Sequence, residues 1–384
     1  MTGSSLTGAA IDAAPPSSTA RRRLAFGYLC GLYFLAGAAE TYISPLFPVL
    51  RDDLGLRIAD QATLTAFLAV SIGIGNLLGG WLGSRRGDRV ALRAAAALMA
   101  LGCVLSGTAP GLAVMLLGQV LTGLGVGLFF GPGLAVVGRM YAATRGRAIA
   151  SYGLAYSLGL AVAAFSSNAA EHWRVIFLLT AGLAAGFAVL TPHLVEAEDR
   201  HRQPLLRDAM SYLRFPQYRT ALAVGAAAGT THYLVIGLTP SHFVDRGASL
   251  GLAAGLVGAG RLASMGGKYV SGWLFDTLGG QRTAQLLLTG VVALGAAEVL
   301  LPGRAGLWAV APFVCLTAML FPVSNAMVVV ALPGRASWGV GIYRATLMLA
   351  SGLCAVVAGA ALHLVGTSAV MFAALGVPVL AGLL

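Results

Sequence analysis

From residue 24 to the last residue, apolar runs alternate with short polar breaks. Each run is roughly 20 residues or somewhat longer, the length a 30 Å hydrocarbon layer asks of a helix. Twelve can be drawn, at about 24–50, 61–82, 91–110, 112–140, 147–168, 173–193, 219–243, 249–275, 283–300, 307–332, 337–362 and 368–384. The pattern predicts an all-α membrane protein with twelve transmembrane helices. Residues 1–20, rich in Ser, Ala and Pro, read as a disordered tail ahead of the first span. Arg21-Arg22-Arg23 before an apolar run ending near Ala36 to Ala39 also has the outline of a secretory signal. The segment is kept as span 1, because removing it would leave eleven spans and break the repeat described below.

Composition agrees with the pattern: 58% of residues are hydrophobic, 10% are charged and the mean hydropathy is +0.82, far outside the usual soluble range. A net charge of +11 would suit a nucleic-acid partner, so the position of the charge decides the matter. Seventeen of the 25 Lys and Arg residues fall in segments on the side of the N-terminus, five fall on the opposite side, and three (Arg261, Lys268, Arg344) lie inside spans. This is the positive-inside bias. It accounts for the basicity without nucleic acid and places the chain in the cell membrane with both termini cytoplasmic. Cys30, Cys103, Cys315 and Cys354 all lie in apolar spans without metal-site spacing, so packing explains them. No cofactor and no metal site is expected.

Sliding the chain by half its length, 192 residues, aligns its halves. Gly80-Trp81-Leu82 falls on Gly272-Trp273-Leu274, Gly87 on Gly279, Gly75 on Gly267, Pro48 on Pro240, Asp53 on Asp245 and Gly55 on Gly247, with no gap between residues 40 and 87. The expected organisation is a tail at 1–20, an N-terminal six-helix bundle at 21–193, a cytoplasmic linker at 194–218 and a C-terminal six-helix bundle at 219–384, with a site between the bundles.

Gly80-Trp81-Leu82-Gly83-Ser84-Arg85-Arg86-Gly87-Asp88-Arg89 resembles the signature loop between spans 2 and 3 of the major facilitator superfamily, and residues Gly272 to Gly279 resemble its second copy. The second copy keeps an acid, Asp276, where the first has Ser84. "TRGRAIASYG" after span 4 and "HWRVIF" opening span 6 are similar to that family too. Two departures stand out: Gln119 occupies a place where many proton-coupled members have arginine, and the Gly-Pro motif of drug antiporters is missing from "YSLGLAVAAF". The resemblance implies two pseudo-symmetric bundles working by alternating access, with Ser84, Arg85, Asp88, Arg89 and Asp276 in conformational gating loops.

Buried ionisable side chains are the candidate chemistry, since a charge at mid-helix costs about 2.5–3.5 kcal/mol to insert. Lys268, the only lysine, lies eight residues before Asp276, which is about 12 Å of helix and close to the midplane. Arg261 is two turns further on the same face. Arg344 reaches a similar depth in span 11. A basic residue eight positions before the loop acid of span 8, with a second cation in span 11, is similar to the oxalate/formate antiporters and monocarboxylate transporters. That resemblance implies that Lys268 and Arg344 clamp a substrate carboxylate. Asn76 is the repeat mate of Lys268, and His232 is the repeat mate of Glu40, an acid deep in span 1. Glu40 and His232 are candidates to carry a coupled proton. An ion pair for Glu40 and a packed core position for His232 remain equally open. Glu298 reads as interfacial, near the outer end of span 9. Tyr42, Tyr156, Tyr233, Asn325 and Tyr343 are secondary candidates for the substrate wall, with packing as the default role of each. Snorkelling of Lys268 and helix-end contacts of Arg344 are the structural alternatives.

Two enzyme-like patterns are coincidental. Gly247-Ala248-Ser249-Leu250-Gly251 matches G-x-S-x-G but opens a membrane helix. Gly123-Leu124-Gly125-Val126-Gly127 lacks the preceding strand of a nucleotide-binding turn, and close helix packing accounts for it. The sequence therefore predicts a monomeric secondary transporter of a small organic anion, a carboxylate, together with a coupling proton or a counter-substrate. An exporter of drugs or natural products is the alternative, and a non-transporting receptor or scaffold the third. Saturable uptake separates the last from the others.

Overall fold

The computed structural model describes residues 19–141, 145–195, 212–331 and 336–383. Among them there is no strand. A water-free layer leaves backbone groups only each other to bond, and helices satisfy them segment by segment. Span 1 is α1 (Thr19–Thr41) continued by α2 (Ile43–Leu54), followed by α3 (Ile58–Arg86), α4 (Asp88–Gly107), α5 (Leu112–Met140), α6 (Arg145–Phe165) and α7 (Trp173–Leu194). Span 7 is built of α8 (Pro216–Thr230), a π-helix (Thr231–Val235) and α9 (Ile236–Asp245). Then come α10 (Leu250–Leu278), α11 (Gly280–Leu300), α12 (Leu307–Ala331), α13 (Ala336–Ala374) and α14 (Gly376–Gly382), with α13 broken into two spans at Gly366, φ 78°.

The repeat is visible in the backbone. α3 and α10 start and end at residues 192 apart, and so do the left-handed glycines that close two turns in each half: Gly55 (φ 63°) with Gly247 (φ 78°), and Gly87 (φ 90°) with Gly279 (φ 81°). One apolar core gathers residues of α1 to α7 around Leu29, Phe47, Met99 and Phe129, and a second gathers α8 to α14 around Phe243, Val291, Phe313 and Met371. The Gly-rich run of α5 packs as expected: a Cβ on Gly123 would lie 2.6 Å from Leu68 O of α3, and one on Gly125 2.7 Å from Ala95 O of α4.

Three sequence expectations change. Helix α1 already begins at Thr19, so the tail ends two residues early; 1–18 and the 196–211 part of the linker lie outside the described residues. Span 7 is not one uniform helix, since Pro240 cannot donate to Ile236 and the turn before it widens into the π-helix. Glu298 is not interfacial. It is 0% exposed, because α9 and the turn through Gly306 fold over the end of α11.

Candidate functional site

We call the end where α1 begins the basic end, and the opposite one the distal end. At the distal end the two halves are clasped across the pseudo-two-fold. Gln61 Nε2 and Ser44 Oγ both donate to Gly237 O (2.7 and 2.9 Å), and Ser241 Oγ donates to Gln61 Oε1 (2.8 Å). Arg51 and Asp245 add an ion pair at 3.3 Å. α3 and α13 run together below this clasp: a Cβ on Gly352 would meet Val70 and Ala66, and one on Gly73 would meet Ala345 and Leu349.

Beneath the clasp, Glu40 sits in the last turn of α1, buried at 6% exposure. It accepts hydrogen bonds from Tyr156 of α6 and from Tyr233 of the π-helix, so one carboxyl joins the two halves. His232, next to Tyr233, brings Nε2 to 4.0 Å from Glu40 Oε1. On its other side, Arg261 Nη1 lies 3.0 Å from His232 Nδ1. Arg261 Nη1 and Nη2 also lie 3.4 Å from His232 Nε2, so the guanidinium, which only donates, reaches both ring nitrogens. Arg261 is 4% exposed and its Nε has no partner. A small cavity of about 30 Å³ lies here between the halves, lined by Glu40, His232, Tyr233 and Arg261 together with apolar Leu68 and Val257.

Toward the basic end, Lys268 Nζ donates to Ser157 Oγ of α6, again across the two halves. Arg344 stands over the Phe130 ring of α5, 4.7 Å from its centroid, with Tyr33 beside its guanidinium. Tyr33 stacks on Tyr152 (4.2 Å) and on Tyr156 (4.7 Å), which gives the N-terminal half a rigid aromatic wall behind Glu40. Arg261 and Arg344 both act electrostatically on Glu40, and both act on Lys268. In this central layer Glu40, Tyr156, His232, Tyr233 and Arg261 are linked by direct contacts, and Lys268 and Arg344 stand toward its basic side.

Asn76 does not join them. Its Nδ2 donates to Ile72 O of its own helix at 3.0 Å. Of the loop residues, Asp88 accepts from Arg139 Nη2 at 2.6 Å, Arg89 donates to Pro192 O and Arg85 lies over Trp81. Asp276 is exposed, and the side chain of Ser84 lies outside the described residues. Sequence reasoning missed Ser157, Phe130, Tyr33 and the clasp residues Ser44, Gln61 and Ser241. Gln61 and Ser241 are polar residues inside or beside apolar runs, which was the available signal.

Residues 29–318 match the family model of the Major Facilitator Superfamily. The chain belongs to that superfamily. It is a family of multi-pass membrane transporters, not of enzymes. Among curated relatives, the inner membrane transport protein YdhP of Escherichia coli (strain K12) is 31% identical over 209 residues, 52% of this chain and 54% of the relative. The probable sulfoacetate transporter SauU of Cupriavidus necator is 24% identical over 188 residues, 47% of this chain and 43% of its own. The arabinose-proton symporter of Escherichia coli (strain K12) is 28% identical over 152 residues, 38% and 32% of the two chains. The chain thus spans about half the length, or less, of the curated relatives it matches. Solved structures share the fold: a bacterial homologue of the human lysosomal transporter Spinster, inward-facing and unoccupied, superposes with TM-score 0.75 at 15% identity, covering 96% of both chains. The D-xylose-proton symporter gives 0.74 at 19% identity, covering 96% of this chain and 97% of that one.

Proposed function

We propose that this superfamily member is a secondary transporter of a small organic anion, working by alternating access between its two bundles. One observation carries this reading: Arg261 is buried close to a single buried carboxylate, Glu40, and two further cations, Arg344 and Lys268, stand half-buried beside them, so three cations share one acid. Excess buried positive charge is costly unless an anion joins it. Lys268 supplies a compact point charge, whereas Arg344 and Arg261 supply planar forks that suit a carboxylate. The small cavity beside Arg261, with Nε unpartnered, marks where the substrate would be admitted once the bundles separate. The sulfoacetate transporter among the relatives is an anion carrier by name and supports the class. The sugar symporters support the fold and proton coupling, but a neutral sugar would leave the three cations without a counter-charge.

In this reading the basic end faces the cytoplasm, following the 17 to 5 distribution of basic residues across the spans. Substrate enters from that side while the distal clasp is closed. Glu40 is the proton carrier: as a carboxylate it holds Tyr156 of one bundle and Tyr233 of the other, and protonation weakens both bonds, so proton and substrate occupancy bias the same bundle contact. His232, poised between Arg261 and Glu40, transmits the change. The protein acts as a monomer in the bilayer. An exporter of amphiphilic compounds is the second reading, favoured by the aromatic wall of Tyr33, Phe130 and Tyr152.

The test is a thermal-shift screen of purified protein followed by uptake in proteoliposomes. A ligand at 100 times its Kd stabilises by about 2.7 kcal/mol, so small carboxylates and sulfonates are expected to raise the melting temperature and to be taken up saturably. Stabilisation by sugars or cationic amphiphiles, with none by anions, would overturn the anion reading.

A further inference from the structure

Glu298 lies outside the central layer, fully enclosed near the end of α11 beside Thr239 of α9, and the function proposed above makes no use of it. Its Oε1 is in close contact with Thr239 Oγ1, and its Oε2 has no partner. No cation pairs with it among the described residues. Arg246 of α9 spends its guanidinium on Val299 O (3.0 Å), Leu301 O (3.1 Å) and Ser368, and Arg304 donates to Gly247 O. His242, one turn beyond Thr239, is buried with Nε2 unpartnered and makes no ion pair with the carboxyl. From α10, Arg261 faces His232 and Lys268 faces Ser157; α12 and α14 carry no acidic or basic side chain, and Arg344 of α13 belongs to the central layer.

Thr239 has one hydroxyl hydrogen for two oxygen neighbours. Its Oγ1 lies 3.0 Å from Val235 O and close to Glu298 Oε1 as well. A threonine hydroxyl has one hydrogen and can accept through its lone pairs, whereas a backbone carbonyl only accepts. If the hydroxyl hydrogen serves Val235 O, the second contact needs a hydrogen from the carboxyl. A bare carboxylate with one oxygen unpartnered at 0% exposure would also be far more costly than a carboxylic acid.

We propose that Glu298 is a second proton-binding site, separate from the central cavity, and that its bound proton is donated to Thr239 Oγ1. Val235 is the last residue of the π-helix that carries His232 and Tyr233, so the site is wired to the central layer through one carbonyl. Without the proton, the carboxylate takes the hydroxyl hydrogen and Val235 O is left without its side-chain donor. Pro240 and Ser241 follow Thr239 directly, so the proton on Glu298 also favours the closed distal clasp.

Infrared difference spectroscopy on the full chain in lipid, without substrate, tests this independently of what the protein carries. At neutral pH the wild-type spectrum minus that of Glu298→Gln is expected to contain a carboxylic-acid C=O band at a hydrogen-bonded position. Raising the pH should replace it with carboxylate bands. The Gln amide can donate to Thr239 in place of the acid, so the variant is expected to fold. Thr239→Val, which removes the hydroxyl at similar volume, should keep the band and move it to the position of an acid without a hydrogen-bond acceptor. A flat difference spectrum at neutral pH, a band that Thr239→Val does not move, or conversion of the acid to carboxylate by sodium at constant pH would each overturn the proposal.

Discussion

α3 and α10 cover the same 29 residues of the repeat, Ile58–Arg86 and Leu250–Leu278, yet α3 has Ala69 and Asn76 where α10 has Arg261 and Lys268. The same shift sets Glu40 against His232 and Tyr152 against Arg344. The N-terminal half brings an acid and a stacked aromatic wall to the central layer, and the C-terminal half brings every cation. Backbone symmetry survives because turns and close helix contacts tolerate few residues; Gly87 and Gly279 hold φ 90° and 81°. Side chains at the interface are free of that constraint. The lesson is that the scaffold is twofold while the site is a single asymmetric object, with the negative and positive groups on opposite walls.

The asymmetry breaks most severely if Lys268 is made like its mate. Lys268→Asn is expected to weaken anion binding by about 2–5 kcal/mol, the usual cost of removing one partner of a buried charge pair. That is a Kd raised roughly 30-fold or more, measured by calorimetry on the purified protein. Asn76→Lys in the same background should not restore it, because position 76 faces Ile72 O. Lys268→Arg should keep part of the affinity with altered selectivity. Full affinity in a folded Lys268→Asn protein would remove the cationic wall from the account.

Glu40 tests the opposite wall. Glu40→Gln keeps the volume and removes the titratable group, so pH-driven accumulation should fall to background while exchange of substrate across the membrane persists. The sign is specific: wild-type uptake should vary with an imposed proton gradient and the variant's should not. Accumulation at the parent rate would leave Glu40 as a structural bridge between Tyr156 and Tyr233.

The shared scaffold predicts equal costs in both halves. Gly87→Ala and Gly279→Ala each force a Cβ into a backbone region that is essentially glycine-only, expected to cost about 1–3 kcal/mol. Unfolding measurements in detergent should show similar losses for the two, since both close the same turn. A large loss in one half alone would show that the repeat is geometric without being energetic.

What the sequence made legible follows the same division. Hydropathy located the spans closely, because insertion depends on summed apolarity. The 192-residue offset located the turns, because only glycine fits them. Glu40, Lys268, Arg261 and Arg344 were legible as candidates because charge in an apolar span is costly. Which way a side chain points is another matter. Asn76 and Glu298 were misjudged because hydropathy is blind to the helix face and to the neighbour that covers it. The π-helix at Thr231–Val235 was invisible, although Pro240 lay in plain sight, because a proline permits several local adjustments and packing selects among them. Ser157 and Gln61 gave no signal strong enough to be ranked above ordinary buried polar residues.

The distal clasp gives the smallest effects and compares two ways of joining the halves. Gln61 is 1% exposed and bonds Gly237 O and Ser241, so Gln61→Ala leaves the buried Ser241 hydroxyl without its acceptor, while Gly237 O keeps Ser44, at about 1–3 kcal/mol. Arg51 and Asp245 join the same two halves at 3.3 Å, but their side chains are 28% and 45% exposed. A pair so wetted is expected to contribute only about 0.2–1 kcal/mol and to fade as salt shortens the screening length. Distances between spin labels at positions 52 and 301 would report the closed and open populations of the distal end. Gln61→Ala should shift them clearly toward open, Asp245→Asn by at most about fivefold, and high salt should reproduce the Asp245→Asn shift in wild-type protein while leaving Gln61→Ala unaffected beyond it. If Asp245→Asn opened the distal end as far as Gln61→Ala does, the exposed ion pair and not the buried amide would be the latch between the halves.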